Sequence, residues 1–102
     1  MNKLVKDGKV AVLYSPSFGA GWFTWNPTMP ELIFEPAIAQ FVEDEKFDEL
    51  QTYIELKYPE IYKGGLMDLE IEWIPVGTEF RISEYDGAES IELKDEAGWI
   101  TA

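Results

Sequence analysis

The sequence predicts an α+β fold, with a single antiparallel sheet of about five strands and two short helices on one face. Three observations lead there. Two Asp-Gly pairs, Asp7-Gly8 and Asp86-Gly87, each lie between apolar-rich segments. Such a pair is a strong hairpin signal because both positions tolerate positive φ. Met67, Leu69, Ile71 and Trp73 alternate with Asp68, Glu70 and Glu72, which is the period of a half-buried strand. Between these, apolar side chains of residues 36–58 fall at helical spacing. Hairpins on either side of helices make an antiparallel arrangement, since a parallel sheet needs strand and helix to alternate. A length of 102 residues predicts one domain over residues 1–102.

Leu4-Val5, the turn at Lys6 to Lys9 and the segment Val10 to Tyr14 read as an opening hairpin. Every residue from Val10 to Tyr14 is apolar, the pattern of a strand covered on both faces. Ser15-Pro16-Ser17 ends it, because proline has no N–H to give a ladder. Asn26-Pro27 and Met29-Pro30 carry turn and extended signals. Leu32-Ile33-Phe34 reads either as a short buried strand or as an entry segment to the first helix.

Glu35-Pro36 starts that helix, with proline at its first position, and Ile38, Phe41 and Val42 share one face. Glu43, Asp44 and Glu45 place negative charge where the helix dipole favours cations, so a break is expected there. A second helix runs from about Phe47 to Tyr58, with Asp48 and Glu49 in its first turn and Phe47, Leu50, Ile54 and Lys57-Tyr58 along one stripe, Gln51 at its margin. Pro59 and Gly64-Gly65 stop it. After the strand through Trp73, Pro75-Val76-Gly77-Thr78 turns the chain back. Phe80 and Ile82 then alternate with Arg81 and Ser83. The turn Tyr85-Asp86-Gly87-Ala88 leads to Ile91 and Leu93 on either side of Glu92, and Gly98-Trp99-Ile100 reads as a short closing strand.

Composition narrows the chemistry. Cysteine and histidine are both absent, which removes disulfides, the usual zinc sites, thiol nucleophiles and every nucleophile that relies on an imidazole base. No apolar run approaches the roughly 18 residues of a membrane span, and the charged N-terminus lacks the apolar run of a signal peptide. The net charge of −12 is uneven: three lysines against Asp7 and Glu31 leave residues 1–34 at +1, so residues 35–102 carry −13. Such a field repels nucleic-acid phosphates and attracts basic surfaces, although acidity also simply maintains solubility.

The stretch Ser15 to Asn26, SPSFGAGWFTWN, concentrates Phe18, Trp22, Phe23 and Trp25 around Gly19 and Gly21. It lacks the lysine of a phosphate-binding loop and the third glycine of a dinucleotide fingerprint. Two roles suit it: rings folded inward to fill the core, or a wall of indoles offered to a ring-bearing ligand or a protein partner. Arg81, the sole arginine, is placed to pair with Glu70 or Glu72 across the Pro75–Thr78 turn, or to hold an anionic ligand beside Tyr85. Asp68, Glu70 and Glu72 read as a solvated strand face. Glu43, Asp44, Glu45, Asp48 and Glu49 form an acidic corner between the helices, suited to docking a basic protein surface, and Glu31 and Glu35 would extend it.

With SPSFGAGWFTWN, LIFEPAIAQFVE and GGLMDLEIEWIPVGTEFRISEYDGAESIE in view, the chain resembles a small acidic protein that recurs in tailed-bacteriophage and prophage genomes. The resemblance covers most of the chain. That family carries no established activity, so no catalytic or binding residue comes over from it. The resemblance implies a product acting in an infected bacterial cytoplasm, where small acidic phage proteins often inhibit host machinery or host defence.

The expected function is therefore a non-enzymatic binding protein whose partner is a host protein with a basic surface. Phe18, Trp22, Phe23, Trp25, Arg81 and Tyr85 are its candidate contact residues, and the acidic corner is a separate docking patch. One alternative is a protein that sequesters a small-molecule nucleotide signal, with Trp22, Trp25 and Arg81 around the ligand. Another is a minor structural protein, a homo-oligomer that self-associates through a sheet edge. No cofactor, metal ligand or catalytic residue is assigned.

Overall fold

The computed structural model describes residues 3–94 and 100–101. Asp7 and Gly8 take positive φ, at 53° and 75°, and so join β1 (Val5–Lys6) to β2 (Lys9–Tyr14) in the tight hairpin that the Asp-Gly pair requires. β2 is the middle strand of three. β1 pairs with one edge and β3 (Glu70–Pro75) with the other, both antiparallel, with Val10 opposite Ile74 and Leu13 opposite Ile71. Four successive residues, Val10 to Leu13, are buried, so both faces of β2 are covered, as its unbroken apolar run demands.

Helix α1 (Pro36–Glu43) lies against β2 and β3. Pro36 opens it and the Glu35 carboxylate caps it, accepting from the Ala37 N–H at 2.9 Å. The acidic break expected after Val42 is a Schellman turn. The Lys46 N–H donates to the Phe41 carbonyl at 2.8 Å, the Glu45 N–H donates to the Val42 carbonyl at 3.1 Å, and Glu45 takes the left-handed conformation at φ 56°. Helix α2 (Phe47–Lys57) follows at once and buries Leu50 and Ile54 against the core. Among the described residues no helix is long and apolar enough to cross a membrane.

The single sheet that the alternation suggests is in fact two. β4 (Glu79–Tyr85) forms a hairpin with β5 (Ala88–Lys94) through Asp86 and Gly87, and β6 (Ile100–Thr101) pairs with its other edge. Both edges of β4 are thus occupied, and none is left for β3. Alternation identifies a strand and its inner face, but not its neighbour. The second sheet joins the first through core packing. Phe80 is fully buried and meets Phe34 edge-on at 6.2 Å between ring centroids.

Residues Pro30–Ile33 form a 3-10 turn that buries Leu32 and Ile33, so Leu32-Ile33-Phe34 is the entry segment to α1 and not a strand. A second 3-10 turn, Leu66–Asp68, precedes β3, so Asp68 is not on the strand and Met67 is exposed. Ile100 lies in β6, whereas Gly98 and Trp99 fall outside the described residues.

Candidate functional site

The loop from Ser15 to Asn26 is organised by a carboxylate from the far end of the chain. Glu89 is buried at the start of β5. One of its oxygens accepts from the backbone N–H groups of Trp22 (3.0 Å) and Thr24 (2.8 Å) and from the Thr24 hydroxyl (2.7 Å). The other accepts from the Ser15 N–H at 3.0 Å. The Glu89 N–H in turn donates to the Ser15 carbonyl at 2.7 Å. A buried carboxylate surrounded by donors in this way is well satisfied and fixes whatever carries them.

The hairpin turn completes the clamp. The Gly21 N–H donates to the Gly87 carbonyl at 2.8 Å. Gly87 sits so close that a Cβ there would fall 2.9 Å from the backbone nitrogens of Gly19 and Ala20. On the other flank, the Asn26 side chain donates to the Trp22 carbonyl (2.8 Å) and accepts from the Tyr62 N–H (2.7 Å), while the Tyr62 hydroxyl donates to the Gly19 carbonyl (2.7 Å). The loop is held on three sides.

The four rings of the loop divide. Trp22 is 0% exposed, and its indole N–H donates to the Leu32 carbonyl at 3.1 Å. It is core, which corrects its place among the ligand or partner contacts, because a sealed indole cannot stack on anything from outside. Phe23 is half-buried against the core. Phe18 and Trp25 point outward, at 72% and 36% exposure. Phe18 meets the 76%-exposed Tyr85 edge-on at 6.1 Å between centroids, and Trp25 meets Tyr62 edge-on at 4.9 Å. The loop, the hairpin and the segment after α2 thus present two ring pairs at the surface, Phe18 with Tyr85 and Trp25 with Tyr62.

Two of the loop's supports escaped the sequence reasoning. Tyr62 lies in an irregular segment with no periodicity to mark it. Glu89 did leave a signal: it shares a strand phase with the partly buried Ile91, which lies opposite Ile82.

Arg81 does not reach the acidic row. Among the described residues it pairs with Glu92, directly opposite on β5, at 3.1 Å from the guanidinium. The Ser83 hydroxyl donates to the same carboxylate at 2.7 Å. These bonds, Ser83 first and then Arg81, hold the Glu92 pKa below its usual value. Arg81 and Tyr85 share the outer face of β4, but Arg81 is engaged in a structural pair.

All five residues of the acidic corner, Glu43, Asp44, Glu45, Asp48 and Glu49, are exposed at the junction of α1 and α2. Glu35 is withdrawn from the expected patch: it is buried as the helix cap and accepts from the Tyr53 hydroxyl at 2.6 Å. Partial burial, then this bond, raises the Tyr53 pKa.

Beside the corner runs a groove of about 380 Å³ between the α1–α2 junction and β3. Its lining includes Glu43, Glu45, Phe47, Glu70, Ile71 and Trp73. Lys6 reaches across one end, with its ammonium 3.6 Å from Glu43 and 5.8 Å from the Trp73 ring centroid. Among the described residues no three carboxylates converge at metal-binding spacing. The surface thus offers rings on a rigid platform and a negatively charged groove, features that suit recognition. Compared with protein families, curated proteins and solved structures, the chain matches none.

Proposed function

We propose that the chain is a phage-encoded, non-catalytic binding protein that docks on a basic surface of a host protein and modulates it in the bacterial cytoplasm. One observation carries the reading: Phe18, on the loop clamped by Glu89, and Tyr85, at the end of β4, are both more than 70% exposed and held ring against ring. Large exposed rings on a fixed backbone lose little entropy on docking, which is the character of an interface hot spot. The −12 net charge supplies long-range attraction to a basic partner.

The test is capture from bacterial lysate on the immobilised protein, beside a Phe18→Ser/Tyr85→Ser variant and a Glu43→Lys/Glu45→Lys variant. The expected result is one host protein retained by the parent, lost from both variants, and released as salt rises. Retention indifferent to both variants would overturn the reading, as would self-association alone.

A further inference from the structure

β3 is paired on one edge only among the described residues. The Val76 N–H donates to the Gly8 carbonyl at 2.9 Å, which makes Lys9 and Pro75 a non-hydrogen-bonded pair of the antiparallel ladder. Such pairs alternate with hydrogen-bonded ones, so Trp73 opposite Ala11 and Ile71 opposite Leu13 are of the same kind. The N–H and C=O groups of Ile71 and Trp73 therefore point away from β2, and no described residue bonds to them. Outward groups at every second residue form a template for one more strand.

The charges around this edge select the strand. An extended segment laid along β3 would send alternate side chains to its two faces. One set would enter the groove beside Ile71 and Trp73, under Glu43 and Glu45. The other would lie beside Glu70 and Glu72. Carboxylates wait on both faces. Lys6 already demonstrates the fit from within the chain, its ammonium lodged between Glu43 and the Trp73 ring, with a hydrocarbon stem suited to an apolar lining. A second copy of this acidic chain would instead set its own Glu70 and Glu72 against like charges, a pairing that is destabilised.

We propose that the outer edge of β3 binds an extended, lysine- or arginine-rich segment of the partner protein by strand addition. This rests on the docking reading above and gives the partner segment its shape and chemistry. The test is a titration of the ¹⁵N-labelled protein with the peptide Lys-Val-Lys-Val-Lys-Val-Lys, beside the same peptide N-methylated at alternate residues. The amides of Ile71 and Trp73 should shift and gain exchange protection. N-methylation, or Glu70→Lys/Glu72→Lys in the protein, should weaken binding at least tenfold. Phe18→Ser/Tyr85→Ser should leave peptide binding unchanged.

Absence of binding at millimolar peptide would overturn the inference. So would equal affinity for the N-methylated peptide, unmoved Ile71 and Trp73 amides, or β3-mediated dimers in its place. If the edge stays empty while host-protein capture still requires Phe18 and Tyr85, strand addition falls and the docking reading stands.

Discussion

The Glu89 carboxylate lies 3.0 Å from the backbone nitrogen of Trp22, across 67 residues of chain, and both groups are buried. Glu89→Gln keeps the shape but replaces one oxygen with an NH₂ that faces N–H donors. The expected loss is about 2–3 kcal/mol of unfolding free energy, seen as a lower urea midpoint at unchanged slope. A loss below about 0.5 kcal/mol would show that the carboxylate does not anchor the loop.

Two glycines separate the cost of backbone conformation from that of close approach. Gly77 and Gly87 have φ of 89° and 86°, but only Gly87 has neighbours where a Cβ would stand. Gly77→Ala should cost about 1 kcal/mol for the left-handed backbone alone. Gly87→Ala should cost about 1–3 kcal/mol more, because backbone has to move, and it should alter the near-ultraviolet circular dichroism of the Trp25 region. Equal costs would show that the loop does not press on the turn.

Glu45 occupies the left-handed position of the Schellman turn that glycine usually fills. Glu45→Gly should therefore stabilise the fold, by about 0.5–1 kcal/mol in thermal or urea unfolding. Unchanged or reduced stability would mean that the Glu45 side chain contributes something that offsets its backbone.

The raised Tyr53 pKa makes a statement about alkaline stability. The fold favours the neutral phenol, first through partial burial and then through the bond donated to Glu35. That contribution is complete below the unfolded tyrosine value near 10 and is lost as pH rises through the higher folded value. Urea midpoints from about pH 9 to 11 should thus fall more steeply for the parent than for Tyr53→Phe. Parallel curves would place the alkaline loss elsewhere, with Tyr14 and Tyr58 the next groups to test, since burial raises both.

Local structure was legible where a residue's role is decided by its neighbours in sequence. Asp7-Gly8 and Asp86-Gly87 mark both hairpins, the apolar run Val10 to Leu13 marks the doubly covered strand, and Pro36 marks the start of α1. What lay beyond reach is decided across space. Trp22 and Trp25 stand three residues apart in one loop, and only the carbonyl of Leu32 and the surrounding core separate a sealed indole from a surface one. Arg81 faced several carboxylates of equal merit until strand pairing put Glu92 opposite it. The clamp on the loop depends on Glu89, and a glutamate within a polar-looking hairpin announces its phase but not the ring of donors that will meet it.

The dependence of residues 15–26 on Glu89 has a consequence during synthesis. A ribosome delivers the rings of Phe18, Trp22 and Phe23 long before the glutamate that will gather their backbone, so the nascent chain carries a sticky, unanchored segment until its last hairpin emerges. Ordering of this loop is therefore a late event, and premature termination upstream of that glutamate would leave exposed rings for chaperones and proteases to engage.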